Sequence, residues 1–130
     1  MRLVILDRDG VINQDSDEYV KTADEWIPLP GSLEAIARLN QAGYHVVVAT
    51  NQSGIGRGYY DHATLNAMHL KMYKLLAKMG GHIDGVFYCP HVPEDLGDCR
   101  WPKRGMSKEI AGGWGVGRRG VGGLGGWRGG

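Results

Sequence analysis

Two aspartates, Asp7 and Asp9, stand one residue apart near the start of the chain, directly after an apolar run and before a glycine. In an extended segment the side chains of residues i and i+2 point to the same side, so these carboxylates are expected to lie together. Adjacent carboxylates resist joint ionisation unless a cation lies between them or one of them keeps a proton. The spacing therefore predicts a metal site, an acid–base pair, or both, whereas a polar turn after a strand would use the same residue types.

A second polar segment, residues 50–58, is rich in glycine and carries Arg57. Its hydroxyl and amide side chains belong to Thr50, Asn51, Gln52 and Ser53. Such groups, together with main-chain N–H groups, bind phosphate oxygens, and an arginine adds a charge-assisted contact to an anion. A polar turn before a helix would look the same by itself. Together with Asp7 and Asp9, however, the segment favours phosphate chemistry with a divalent cation, and Mg²⁺ prefers such oxygen ligands.

Both polar segments follow short apolar runs that are typical of buried strands. The pattern of apolar residues predicts strands at 3–6, 44–49 and 83–88, a helix from Ser32 to Gly43, and a long helix capped by Asp61. Strand, helix and strand in this order form a right-handed βαβ unit with a parallel sheet. The sequence therefore predicts an α/β fold with a doubly wound, Rossmann-like parallel sheet, whose ligands lie beyond the carboxyl ends of the strands.

Two further polar features surround these elements. Residues 14–30 form a long polar stretch with Asp15 and Tyr19, and a loop of this length is often a binding loop, although its acids could also form a solvated rim. His62 and His69 fall on the long helix, and we expect both of them at the protein surface.

The length and charge of the chain exclude several functional classes. A chain of 130 residues forms one domain, and its net charge of +1 indicates neither a nucleic acid nor a membrane surface as partner. No apolar run approaches the ~20 residues that span a bilayer, and Asp7 interrupts the first apolar run before it could form a signal peptide. Cys89 and Cys99 are typical of intracellular thiols or metal ligands. We therefore expect a cytoplasmic monomer that acts on a small molecule.

The composition changes abruptly near the C-terminal end. Eleven of the 22 glycines fall in residues 112–130, which contain no acidic residue and show no hydrophobic period. Such a segment cannot bury enough apolar surface to offset the entropy lost on ordering. We expect a disordered tail over residues 112–130.

The segments L-D-R-D-G-V-I-N (residues 6–13) and V-A-T-N-Q-S-G-I-G-R-G (residues 48–58) resemble the haloacid dehalogenase-like phosphohydrolases. Within that class they look like the small bacterial heptose bisphosphate phosphatases and the related histidinol-phosphatases. Ser53 and Arg57 make the resemblance to the heptose enzymes the greater one. The resemblance extends to about Ala111 and implies a phosphatase core over residues 1–111, with a parallel sheet that is incomplete at the C-terminus. It also implies a magnesium-dependent phosphoric monoester hydrolase that serves the synthesis of lipopolysaccharide precursors.

The resemblance also implies a role for each residue of the two segments. Asp7 is the nucleophile that forms an aspartyl-phosphate, and Asp9 protonates the leaving group and then activates water. Mg²⁺ is bound by the Asp7 carboxylate and the Asp9 main-chain carbonyl, while Thr50 contacts the phosphoryl oxygens. The phosphorylated sugar is expected to contact Arg8, Asp15, Tyr19, Asn51, Gln52, Ser53, Arg57 and Arg100.

A structural zinc site is the third expectation from the resemblance. Cys89, His91 and Cys99 match three ligand positions of the family, whereas the fourth position falls on Gly97, which has no side chain. A structural zinc ion normally has four protein ligands. Water or Asp98 could complete the site, or the site is lost.

Two positions depart from the family pattern. Trp101 stands where the family carries a lysine that pairs with the phosphoryl group, and the late acidic motif that completes the magnesium site has no match in residues 112–130. Two hypotheses follow: a phosphatase, or an inactive truncated relative that at most binds a phosphorylated sugar. We expect weak or no turnover from this chain.

Overall fold

The computed structural model describes residues 2–92, 97, 99–114 and 121–124. Its strands are β1 (Arg2–Leu6), β2 (Tyr44–Asn51), β3 (Gly85–Cys89) and β4 (Val121–Leu124). Its helices are α1 (Ser32–Gln41), α2 (Ser53–Gly56), α3 (His62–Ala77) and α4 (Arg104–Trp114). The four strands are parallel and lie in the order β3-β2-β1-β4. The prediction of an α/β fold with a parallel sheet is confirmed.

The two central strands are buried on both faces, as their continuous apolar sequences predict. On one face Val4, Leu6, Val46 and Val48 belong to a core cluster that includes buried residues of α1 and α3. On the other face Leu3, Ile5, Val47 and Ala49 pack with Trp101 and with two residues of α4. Since helices cover both faces, the sheet is doubly wound, and the carboxyl ends of β1 and β2 lie side by side.

Helix α3 begins where the sequence predicts. The side chain of Asp61 accepts a hydrogen bond of 2.8 Å from the main-chain N–H of Thr64, which is the usual contact of an N-cap. This bond holds the pKa of the Asp61 carboxyl below its ordinary value. The cap fixes the start of a helix whose buried side carries Leu65, Met68 and Met72.

Part of the C-terminal segment has defined secondary structure. Gly112 and Trp114 belong to α4, and Val121–Leu124 forms β4, which pairs in parallel with β1 from Leu3↔Val121 to Leu6↔Leu124. The expectation of a disordered tail over residues 112–130 stays a prediction. Main-chain pairing needs no hydrophobic period, so side-chain patterning could not reveal this strand. The remainder of the expected tail, residues 115–120 and 125–130, lies outside the described residues.

The long segment 14–30 is anchored to α3. The ammonium group of Lys71 donates hydrogen bonds to the carbonyls of Ala23 at 2.8 Å and Trp26 at 2.7 Å, and the side chain of Trp26 is buried in the core. This segment is therefore a packed loop rather than a loose connection.

Replacing Lys71 by methionine is expected to lower the free energy of unfolding by about 1–2 kcal/mol, since two carbonyls lose a charged donor while the aliphatic contacts stay. Urea denaturation measures this loss. Lys74→Met is the matched control because Lys74 is an exposed residue of the same helix. Equal stability of the two variants would contradict an anchoring role for Lys71.

Within the part of the chain that the structure describes, no helix has the length and apolar character needed to cross a bilayer.

Candidate active site

Asp7 and Asp9 lie just beyond the carboxyl end of β1. The main-chain N–H of Arg8 donates to Oδ1 of Asp7 at 2.9 Å, which fixes the orientation of that carboxylate. The chain then turns at Gly10, whose φ of 81° lies in the left-handed region that glycine adopts without strain. The N–H of Gly10 donates to the carbonyl of Asn13 at 2.8 Å, so the turn closes directly below the two aspartates.

Arg8 lies beneath the site rather than in it. Its side chain is fully buried, and its Nε and Nη2 atoms donate to Oδ1 of Asp9 at 3.0 and 2.7 Å. Asn13 donates to the same oxygen at 2.9 Å. The guanidinium group of Arg8 is therefore directed at Asp9, and the expected contact of Arg8 with the substrate stays a prediction.

Gln52 joins the two polar segments. Its Nε2 atom donates both to Oδ2 of Asp9 at 3.0 Å and to the Thr50 hydroxyl at 2.9 Å. The Tyr60 hydroxyl donates to the Gln52 carbonyl oxygen, and burial raises the pKa of Tyr60 to about 12, so this phenol stays protonated. Gln52 is itself buried and links Asp9 to Thr50, and its expected contact with the substrate stays a prediction.

Asn51 pairs with the main chain of Trp101. Its Nδ2 atom donates to the Trp101 carbonyl at 2.7 Å, and the Trp101 N–H donates to its Oδ1 atom at 2.6 Å. Asn51, expected at the substrate, thus holds the segment that carries Arg100. The Trp101 side chain is buried in the core on the face of the sheet that α4 covers. Where the family carries a lysine, this chain therefore has an apolar side chain that packs in the core.

The remaining expected substrate residues lie around the two segments. Asp15 and Tyr19 line an open cleft of about 360 Å³ along the first loop, and the ring of Tyr19 contacts that of Tyr59 edge to face at 5.2 Å. Ser53 and Arg57 lie at the start of α2 and directly after it. Arg100 donates to the His91 carbonyl at 3.0 Å.

The expected zinc ligands are arranged differently. Cys89 and Cys99 form a disulfide bond, with their Cα atoms 5.5 Å apart. Their sulfur atoms are bonded to each other and cannot bind zinc in this state, and Gly97 offers no ligand. The zinc site expected at Cys89, His91 and Cys99 is therefore not supported by this structure, in which the two cysteines are not free thiols.

The residues present fit a magnesium ion only in part. Asp7 and Asp9 supply oxygen atoms, the ligand type that Mg²⁺ prefers. Among the described residues, however, no three His, Cys, Asp or Glu side chains come together as a metal-binding group. The pair thus offers oxygen atoms of the type that a magnesium site uses, and no third described carboxylate joins it.

Sequence reasoning missed three residues of this network, Asn13, Tyr60 and His69. The prediction that His69 lies at the surface is wrong, because only 5% of its surface is exposed. His69 stands four residues after Leu65 and three before Met72, which is the spacing of the buried side of α3. That spacing was the available signal, whereas Asn13 and Tyr60 carry none beyond their proximity to the two segments.

The chain is similar to several known proteins. The family described as Polynucleotide kinase 3 phosphatase matches residues 2–114. A D-glycero-beta-D-manno-heptose-1,7-bisphosphate 7-phosphatase of Pseudomonas aeruginosa is 60% identical over 119 residues, which cover 92% of this chain and 67% of that protein.

Two solved structures are also similar. The D,D-heptose 1,7-bisphosphate phosphatase of Bordetella bronchiseptica, complexed with magnesium and phosphate, has a TM-score of 0.86 and 61% identity, covering 89% of this chain and 65% of its own. The Burkholderia thailandensis phosphatase of the same name has a TM-score of 0.68 and 50% identity, covering 96% and 66%. This chain therefore spans about two thirds of these relatives.

The parallel sheet, with an aspartate pair after β1 and a hydroxyl–amide segment after β2, defines a phosphatase fold of the haloacid dehalogenase-like class. The identity to the relatives extends over most of the chain. The chain belongs to the D-glycero-D-manno-heptose 1,7-bisphosphate 7-phosphatase family.

Proposed function

We propose that this chain is the catalytic core of a phosphatase that removes the 7-phosphate of D-glycero-D-manno-heptose 1,7-bisphosphate, the reaction named for its relatives. The observation that supports this most directly is the position of Gln52, whose Nε2 atom lies 3.0 Å from Asp9 and 2.9 Å from Thr50. The carboxylate pair and the phosphate-binding segment are thereby joined in one site.

In this proposal an oxygen of the Asp7 carboxylate attacks phosphorus, and the bond between phosphorus and the sugar oxygen breaks. The leaving alkoxide takes its proton from Asp9. Asp9 then takes a proton from water as the water attacks the aspartyl-phosphate, which releases inorganic phosphate and restores Asp7. Thr50 and the main-chain N–H groups of its segment contact the phosphoryl oxygens.

The charged and polar residues around the two segments determine which sugar phosphate the site accepts. Arg57 and Arg100 provide positive charge for a second phosphate group, which a heptose bisphosphate carries and a monophosphate lacks. Asp15 and Tyr19 line the neighbouring cleft and offer a hydrogen-bond acceptor and an aromatic edge for the sugar. Ser53 adds a hydroxyl group at the start of α2.

Mg²⁺ would be bound by the Asp7 carboxylate and the Asp9 main-chain carbonyl, and when bound it neutralises negative charge on the phosphoryl group. The described residues provide no third carboxylate for it. We therefore propose slow turnover and weak magnesium affinity for this chain.

Phosphate release in the presence of Mg²⁺ tests the proposed function, with the heptose bisphosphate and histidinol phosphate as parallel substrates. Slow release from the bisphosphate and a lower rate with histidinol phosphate are expected. A preference for histidinol phosphate would replace the proposed substrate. No release from either compound, although the bisphosphate binds, would identify a sugar-phosphate-binding fragment.

We further propose that the protein acts in the cytoplasm as a monomer, with no nucleic acid or membrane as partner. The near-neutral net charge of +1 supports the absence of nucleic-acid binding. Light scattering after gel filtration tests the monomeric state, and cell fractionation tests the location.

A further inference from the structure

The two carboxylate oxygens of Asp9 accept different numbers of hydrogen bonds. Three N–H groups converge on Oδ1, namely Nε and Nη2 of Arg8 and Nδ2 of Asn13, at 2.7 to 3.0 Å. Oδ2 receives one, from Nε2 of Gln52 at 3.0 Å. Because an ionised carboxylate has about two lone-pair sites on each oxygen, Oδ1 has no site left for a proton whereas Oδ2 keeps one.

The two oxygens therefore face different surroundings. Oδ1 is directed at the buried Arg8, whereas Oδ2 shares its donor with the Thr50 hydroxyl, on the side of the phosphate-binding segment. A proton carried by Oδ2 would lie on the side of Thr50, where the proposed mechanism places the phosphoryl group, whereas one on Oδ1 would be directed against three N–H groups. The geometry thus separates a bound oxygen from a reactive one.

The position of Arg8 depends in turn on α3. Its Nη1 atom lies 3.3 Å from Nε2 of His69 and 3.7 Å from the sulfur of Met68. Because the guanidinium group is planar, a contact that fixes Nη1 also fixes the edge formed by Nε and Nη2. Arginine has no acceptor, so Nε2 of His69 must accept, and the imidazole must be neutral with its proton on Nδ1.

The surroundings of His69 favour that neutral form. Burial, and then the positive charge of Arg8, lower the pKa of His69 to about 4, while the charge of Asp9 opposes this shift. Near neutral pH the imidazole is therefore available as an acceptor. Protonation would place two cations together in the core.

We propose that His69 is a positioning residue: from α3 it holds the Arg8 guanidinium group, which occupies Oδ1 of Asp9 and leaves Oδ2 as the oxygen that carries the catalytic proton. The inference rests on the proposed acid–base role of Asp9. It assigns to α3, which contributes no side chain that touches the reacting atoms in the proposed mechanism, control over the orientation of the acid.

Two replacements at position 69 test the inference in the full chain. Glutamine keeps an acceptor for Nη1, whereas leucine removes it at similar volume. His69→Leu is expected to lower kcat for the heptose bisphosphate by about tenfold or more at unchanged KM, since a small displacement of a catalytic group slows the chemical step. His69→Gln is expected to restore most of the rate. The same replacements at His82, an exposed residue before β3, are the matched controls.

Nuclear magnetic resonance provides a readout that needs no turnover. With ¹⁵N-labelled arginine, assigned through Arg8→Lys, the Nη protons of Arg8 are expected as separate signals in the wild type and in His69→Gln. In His69→Leu those of Nη1 are expected to merge, as rotation about its bond to Cζ becomes free. Separate Nη1 signals in His69→Leu would overturn the inference, as would an unchanged kcat in an active chain. Failure of the proposed function has a different signature, which is absence of phosphate release from the wild type whatever the spectra show.

Discussion

Replacing Asp7 by asparagine is expected to abolish phosphate release from the heptose bisphosphate, a loss on the order of 10³-fold or more, as is usual when a nucleophile is removed. An amide oxygen is too weak a nucleophile to attack phosphorus. The fold should persist, because asparagine keeps an oxygen that can accept the hydrogen bond from the Arg8 N–H, which measures 2.9 Å in this structure. Release of inorganic phosphate and thermal denaturation measure the two effects separately.

A matched replacement, Asp24→Asn, removes an exposed carboxylate of the first loop and should leave the rate unchanged. Mass spectrometry of acid-quenched wild type is expected to show a phosphoryl group on the peptide that contains Asp7. If Asp7→Asn retained the wild-type rate, water would have to attack the substrate directly and the aspartyl-phosphate route would be wrong.

The stability of the fold is expected to decrease as the pH falls from about 6.5 to about 4. His69 has a pKa of about 4 in the folded protein and an ordinary value of 6.5, so below 6.5 the unfolded chain binds the proton more readily. The stabilisation is complete above pH 6.5 and is lost progressively on acidification. At about 1.4 kcal/mol for each pH unit between the two pKa values, the total loss is about 3 kcal/mol.

Urea denaturation at a series of pH values measures this loss. His69→Gln has no proton to gain at this position, so its free energy of unfolding should fall less steeply over the same range. The difference between the two proteins isolates the contribution of His69 from that of all other ionisable groups. If the free energy of unfolding fell equally steeply with pH in the two proteins, His69 would be as easily protonated in the folded state as in the unfolded one.

Most of the fold was predictable, because β1 and β2 are continuous apolar runs and α3 has apolar residues at helical spacing and a defined N-cap. The third strand was predicted at 83–88 and begins at Gly85, since Ile83 packs against the core without belonging to a strand. The strand β4 was not predicted. Its Val-Gly-Gly-Leu sequence pairs with β1 through the main chain, a contribution to which side-chain patterns are blind.

The site was predictable in its parts but not in its contacts. Topology brings Asp7, Asp9 and Thr50 to one edge of the sheet, as their positions after two strands predicted. The roles of Asn51 and Gln52 were not accessible, because an amide offers a donor and an acceptor and its partners, Trp101 among them, lie far away in sequence.

Arg8 did carry an unused signal. In an extended segment the residue between two that face one side points to the other side, here towards the core. Its positive charge favoured the expectation of a substrate contact, whereas the alternation of the strand favoured burial. The alternation of side chains along the strand correctly indicated that the Arg8 side chain is buried.

His69 and Lys71 have a mechanical consequence for α3. At 3.6 residues per turn, these two side chains leave the helix on opposite flanks of its buried side, one reaching Arg8 under the acid and the other the carbonyls of the first loop. A rotation of α3 about its own axis that lengthened one of these contacts would shorten the other. The two contacts are therefore expected to restrain α3 from rotating about its own axis.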